Sequence, residues 1–271
     1  MKHIKTIKLA IVMILPLLLT ACGRGPEDGI ILAGSTSVQP YAEILAEEFS
    51  HIHPEYEVDV QGGGSSAGIT AAGSGTADIG MSSRDLSEKE RGLWAVELAK
   101  DGLAVIVHPS NPIDDLTLEQ VRGVYTGEIT NWSELGGAEA KIHIIAREDG
   151  SGTRSAFESL VMGSAGISPR AIVQDSNGAV RLLVSDDPNS IGFISLGLAD
   201  ESVKALRLDG VEPTVENVIN GSYGLFRPFL FVLKTEPEGL AKEFIDFTLS
   251  AEGQRILTDE GLISVAGGTE R

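Results

Sequence analysis

The sequence predicts an α/β protein of two domains, and three observations carry that reading. From Ile30 onward, short apolar runs alternate with helical patterns. Two breaks rich in proline or glycine, Val107-His108-Pro109-Ser110-Asn111-Pro112 and Gly221-Ser222-Tyr223-Gly224 with Arg227-Pro228 after it, mark crossings between domains. The chain has 271 residues, 42% hydrophobic and 22% charged, which is globular and long enough for two cores. Two crossings make the first domain discontinuous, residues 30–108 plus 225–271, with residues 109–224 as the second.

Strands are predicted over Ile30–Leu32, Tyr56–Val60, Leu103–Val107, Ile142–Ala146, Ile191–Ser195 and Phe229–Leu233. Tyr56, Val58 and Val60 alternate with charged neighbours, the pattern of a half-buried strand. Helices are predicted to begin near Val38, Ser66, Leu118, Thr153, Ala179 and Glu238. In the first of these, Tyr41, Leu45 and Phe49 recur every fourth residue, with Ile44 beside them on the inner face.

Ahead of the folded part, Lys2, Lys5 and Lys8 precede an apolar run from Leu9 to Leu19 that contains Pro16. The run is shorter than the roughly 20 residues a membrane-spanning helix needs, and it fits a secretory leader over residues 1–21. Leu19-Thr20-Ala21-Cys22 resembles a bacterial lipobox, which implies a lipid on Cys22, a bilayer anchor and a tether over residues 22–29.

Charge and composition exclude several classes. Lys plus Arg number 21 against 39 Asp plus Glu, a formal net charge of −18, and such a body repels nucleic-acid backbones. Aromatics at 5% supply no stacking platform for single strands. One cysteine permits neither a disulfide framework nor a multi-cysteine metal centre. No cofactor and no metal are expected. His51 and His53 read as a solvated helix end, and His108 and His143 as structural residues of strands.

The informative feature is a unit that recurs: strand, loop rich in Ser, Thr and Gly, then helix. It occurs at Gly34-Ser35-Thr36-Ser37-Val38-Gln39-Pro40, at Gln61-Gly62-Gly63-Gly64-Ser65-Ser66-Ala67-Gly68, at Arg147-Glu148-Asp149-Gly150-Ser151-Gly152-Thr153-Arg154, and more weakly at Asp175-Ser176-Asn177-Gly178. The first N–H groups of a helix lack intrahelical partners and together carry about +0.5 charge. Glycine allows close backbone approach, and hydroxyls add donors, so several such termini together can surround a tetrahedral oxyanion. The alternative for each loop is helix capping, worth about 1 kcal/mol.

Three enzymatic motifs fall on the second loop. Gly62 to Ala67 fits a dinucleotide pattern but lacks the acidic residue about 20 positions on at a strand end. Gly63 to Thr70 has Ile69 where a P-loop needs lysine. Gly64-Ser65-Ser66-Ala67-Gly68 fits a nucleophile elbow with Ser66 as nucleophile, and a serine hydrolase is the alternative it leaves.

The first and third loops, with Gln61 to Gly68, Gly123-Val124-Tyr125-Thr126-Gly127, Ile129-Thr130-Asn131-Trp132 and Ile191-Gly192-Phe193-Ile194-Ser195, resemble the phosphate-binding proteins of bacterial phosphate ABC importers (PstS type) over essentially all of the chain from Ile30. The resemblance implies a type II-like periplasmic-binding-protein fold, with ligand in a cleft that closes by hinge bending. It implies a non-enzymatic, monomeric, extracytoplasmic protein that hands phosphate to an ABC permease. Thr36, Ser37, Ser65, Ser83, Arg147, Ser151, Gly152 and Thr153 would then contact phosphate, with Asp149 orienting Arg147 by an ion pair and Ser66 and Asn177 nearby. Arg84 would touch the ligand or pair with Asp85. Many members of the family carry an aspartate, an acceptor for the proton of hydrogen phosphate, where this chain has Ser83 in Gly80-Met81-Ser82-Ser83-Arg84. That departure keeps sulfate, molybdate and tungstate open as alternative ligands.

Overall fold

The computed structural model describes residues 29–265, so the leader, Cys22 and all but the last residue of the tether lie outside the described residues. The chain begins with β1 (Gly29–Gly34), α1 (Gln39–Ile52), β2 (Glu57–Gly62), α2 (Ser65–Ser74) and β3 (Ile79–Ser82), and then enters a long strand, β4 (Trp94–Val107). The middle of the chain supplies β5 (Asp115–Leu116), α3 (Leu118–Thr126), β6 (His143–Arg147), α4 (Gly152–Phe157), β7 (Ile172–Gln174), α5 (Asn177–Asp186), β8 (Ser190–Ser195), β9 (Lys204–Ala205), β10 (Arg207–Leu208) and α6 (Val215–Ile219). It returns through β11 (Phe226–Leu233), α7 (Gly239–Leu249), α8 (Ala251–Asp259) and β12 (Ile263–Ser264).

One continuous sheet runs β2-β1-β3-β11-β4-β8-β6-β7. β1 is parallel to β2 and β3, and β6 is parallel to β7 and β8, while β4 and β11 are antiparallel to their neighbours. Two main hydrophobic cores form. The first packs Tyr41, Leu45 and Phe49 of α1 against Leu32, Phe231 and Phe244. The second gathers Val105, Tyr125, Phe157 and Phe193, with the Phe157 and Phe193 rings stacked at 4.0 Å. Each of these buried large side chains contributes about 1.5–3 kcal/mol. The periodicity of α1 is therefore realised: its every-fourth-residue stripe is the buried face, and Ile44 is partly buried beside it.

The first crossing lies earlier than the prolines suggest. Residues up to Gly102 of β4 pair with β11, and residues from Leu103 pair with β8, so the chain changes lobes inside an unbroken strand. Ala99 belongs to the first core and Leu103 to the second. Pro109 and Pro112 come after the strand has ended, where no ladder needs their missing N–H. The return crossing falls at Leu225–Phe226: Leu225 packs in the second core and accepts a bond from Leu103 N at 2.8 Å, whereas Phe226 pairs with Gly102.

Predicted strands and helix starts agree with the structure to within three residues, apart from Leu103–Val107, which is only the second half of β4. β3, β7 and the first half of β4 carry no clean apolar run and were not expected.

Candidate functional site

The loops after β1, β2 and β3 meet those after β6 and β7, all at the carboxyl ends of parallel strands, where α/β sheets place ligands. Local geometry explains why these loops look as they do. Gly64 precedes α2 at φ 88°, a conformation closed to most side chains, and its N–H bonds to the Gly34 carbonyl at 2.8 Å. A Cβ on Gly68 would lie 2.6 Å from Gly34 Cα, so this glycine lets α2 seat on β1. The glycine pattern that suggested a nucleophile elbow is thus a packing requirement.

Arg147 ends β6 with only 1% of its surface exposed. Its Nη2 donates to Thr36 Oγ1 across the cleft at 3.1 Å and to the Asp175 carbonyl at 3.0 Å, and its Nη1 donates to Thr153 Oγ1 at 3.3 Å. Thr153 Oγ1 also lies 2.8 Å from Ser37 Oγ, which accepts a bond from Asn177 Nδ2 at 2.8 Å. Side chains from three of the four loops therefore converge on the Ser37–Thr153 pair. The second loop joins through Gly152, because a Cβ there would fall within the van der Waals envelope of Ser65 Oγ and Ser83 Oγ.

The hydrogen bonds direct protons into this space. Ser35 Oγ accepts from Ser37 N at 3.2 Å and donates to Ser83 Oγ at 2.9 Å, and Ser65 Oγ accepts from Ser83 N at 3.0 Å. Ser65 Oγ and Ser83 Oγ also lie 3.3 Å apart, so one of them donates to the other, and the hydroxyls of this cluster can turn their remaining protons toward an anion. The backbone N–H groups of Thr36, Ser65, Gly152 and Thr153 have no acceptor among the described residues. All but Thr36 open a helix, where first-turn N–H groups lack intrahelical partners, and gathered in one place they can receive an anion. The arrangement is a shell of neutral donors with one guanidinium.

Sequence reasoning erred at two positions. Asp149 does not orient Arg147: its side chain is 94% exposed and pairs with Arg154 at 3.0 Å. The partner is Glu148, which takes Arg147 Nε at 2.8 Å and Nη2 at 2.9 Å on its two oxygens. The chain turns at Gly150 (φ 90°), which carries Asp149 outward, while the longer Glu148 folds back over its neighbour. Arg84 does not pair with the Asp85 carboxylate. Its guanidinium forks onto Glu90 with two 2.9 Å bonds, donates to the Asp85 carbonyl, and reaches Ser66 Oγ at 3.2 Å. The Arg84 bond holds the Glu90 carboxyl down at about 2, helped by Ser87 and opposed by burial.

Among the described residues, no histidine bonds to Ser66. Its hydroxyl meets Arg84, while His108 bonds Ser110 and His143 bonds Asp187 at 2.6 Å. The nucleophile geometry a serine hydrolase requires is not assembled around it. Capping holds for part of the set: Ser151 Oγ accepts from Arg154 N at 3.2 Å and Ser176 Oγ from Ala179 N at 3.2 Å. Ser35 and Glu148 were missed. Ser35 is one of three consecutive hydroxyl residues without a distinguishing mark, and Glu148 is one of two adjacent acids.

A profile of the PBP superfamily domain matches residues 21–252. The phosphate-binding protein PstS of Bacillus subtilis is 32% identical over 98% of this chain and 95% of its own. A solved structure of a putative phosphate ABC transporter substrate-binding protein with bound phosphate, from Clostridium perfringens, superposes with a TM-score of 0.85 at 48% identity, covering 88% of this chain and 99% of that one. An ABC-type phosphate transport receptor from Vibrio cholerae gives 0.73 at 41% identity, over 87% and 99%. With a two-lobed α/β sheet, converging donor loops and relatives that match along nearly their whole length, the chain belongs to the PstS family of phosphate-binding proteins within the PBP superfamily.

Proposed function

We propose that this protein captures inorganic phosphate between its two lobes and delivers it to an ABC permease. The observation that carries the reading is Arg147: a guanidinium almost wholly buried, bonded to residues of both lobes, and ringed by hydroxyl and N–H donors. A buried cation tied to one carboxylate suits an anion, and neutral donors distribute its remaining charge. The similar Clostridium perfringens protein was solved with phosphate bound. Thr36, Ser37, Ser65, Ser83, Arg147, Gly152 and Thr153 would hold the ligand, with Ser151 supporting the third loop through its cap.

The protein acts outside the cytoplasm as a monomer, held at the bilayer by a lipid on Cys22, and it binds without catalysing a reaction. A second reading, another tetrahedral oxyanion, rests on Ser83: a hydroxyl there imposes no requirement for a protonated ligand.

Titration of Thr153→Ala and Arg147→Ala tests the site. Because Ser151 already caps α4, loss of the Thr153 hydroxyl should cost about 1.5–3 kcal/mol of phosphate affinity, roughly a 10- to 150-fold rise in Kd. Arg147→Ala should cost at least as much. Unchanged affinity in a folded Arg147→Ala protein would remove the third loop from the site.

A further inference from the structure

The ligand loops do not stand alone. Asn177 Nδ2 donates to Ser37 Oγ, and Asn177 Oδ1 accepts from the Ser195 backbone N–H at 3.3 Å. Ser195 Oγ donates to Asp101 Oδ1 at 2.7 Å, and Asp101 Oδ2 accepts from Arg227 Nε at 3.0 Å and Nη2 at 2.9 Å. Every member of the chain is buried, from Ser37 to Arg227. Its far end sits on the two crossing strands, where Asp101 and Arg227 are directly paired in the β4–β11 ladder, one residue before the lobes part.

We propose that Ser195 and Asp101 are positioning residues for the binding site, acting through Asn177. An amide can present either its oxygen or its nitrogen to Ser37. The backbone N–H of Ser195, a residue held in place by its hydroxyl's bond to Asp101, can donate only to the amide oxygen, so the nitrogen faces Ser37. Ser37 then spends a lone pair on Asn177 and keeps its proton for Thr153 or the anion. A site that must donate to a ligand thereby has its hydroxyl direction set by an ion pair at the crossing. The same wiring links the strand pair that joins the lobes to the residues that meet across the cleft.

The inference rests on the phosphate reading for its affinity test and is independent of it for its structural test. Phosphate titration of the full mature chain should show Ser195→Ala raising Kd about 3- to 10-fold, the net worth of one hydrogen bond. In an Asn177→Ala background the same substitution should add less than about twofold, because the residue it acts through is gone. Ser195→Thr, which keeps the hydroxyl, should restore affinity. If Ser195→Ala does not fold, Ser195→Cys fills the space with a weaker donor and carries the same comparison. Without any ligand, 15N NMR should find the Asn177 side-chain protons exchanging slowly in the wild type and faster in the Ser195 variant. A Kd unchanged by Ser195→Ala, an equal loss in both backgrounds, or equal exchange in both proteins would overturn the proposal. A wild-type chain that takes no phosphate, with the exchange difference intact, would refute the ligand and leave the wiring standing.

Discussion

Gly152→Ala is the substitution with the sharpest expected contrast between affinity and stability. Gly152 opens α4 in ordinary helical conformation, so alanine strains no backbone and is the better helix former. The obstacle lies across the cleft: the new Cβ would overlap Ser65 Oγ and Ser83 Oγ and come within 2.9 Å of the Ser83 carbonyl carbon. Ser83 belongs to the backbone that follows β3, so no flexible side-chain end can swing away to make room. Closure would require the lobes to stand apart by several tenths of an ångström or more. Overpacking of this kind costs about 1–3 kcal/mol, which predicts a phosphate Kd raised roughly 5- to 150-fold. Because the clash is between lobes and not within one, the urea midpoint without ligand should stay close to the wild-type value. Gly178→Ala in the fourth loop is the control, since a Cβ there meets nothing within 4 Å. Calorimetric titration beside urea unfolding reads both quantities. Wild-type affinity in Gly152→Ala would mean that the second and third loops do not close on the ligand, and the site as drawn would fail.

Other substitutions separate the local contacts. Arg147→Lys should recover only part of the affinity lost in Arg147→Ala, because lysine cannot bond Thr36, Thr153 and Glu148 together; equal affinities for lysine and arginine would refute the fork. Glu148→Ala strands a buried cation and should cost about 3 kcal/mol of stability without ligand, while Asp149→Ala should stay within about 0.5 kcal/mol, read from urea midpoints. Glu90 has a folded pKa of about 2 against an ordinary 4.5, so its contribution, on the order of 3 kcal/mol, is present above pH 4.5 and lost as pH falls toward 2. Glu90→Gln should flatten that acid slope of stability, and an unchanged slope would contradict the pairing. Raising salt should shift phosphate affinity less than about tenfold, since buried donors are poorly screened; a steep loss would indicate capture by diffuse surface charge.

The sequence displayed much of this fold because its signals are local. The α1 stripe of Tyr41, Leu45 and Phe49 and the alternation in Tyr56–Val60 depend only on neighbouring residues. β3 was invisible since Ile79-Gly80-Met81-Ser82 is short and buried through its partners, not through its own pattern. β4 was read only in its apolar half, because Glu97, Lys100 and Asp101 interrupt the run before Leu103. The prolines mark the end of β4, whereas its change of partner between Gly102 and Leu103 depends on β11 and β8 and leaves no local mark in the run. At the site, residue types and loop positions were legible, but pairing was not. Choosing between Glu148 and Asp149 requires knowing which way the chain turns at Gly150. Arg84 likewise had Asp85 beside it in sequence, while Glu90, six residues on, provided the fork.

The central claim is that neutral donors from two lobes and one buried guanidinium hold phosphate. Calorimetry of the purified mature chain against phosphate, sulfate, molybdate and tungstate, at one pH and salt concentration, tests it most directly. The account predicts saturable one-to-one binding of phosphate, tighter than that of the other three anions. Heat on sulfate, molybdate or tungstate with none on phosphate would contradict it.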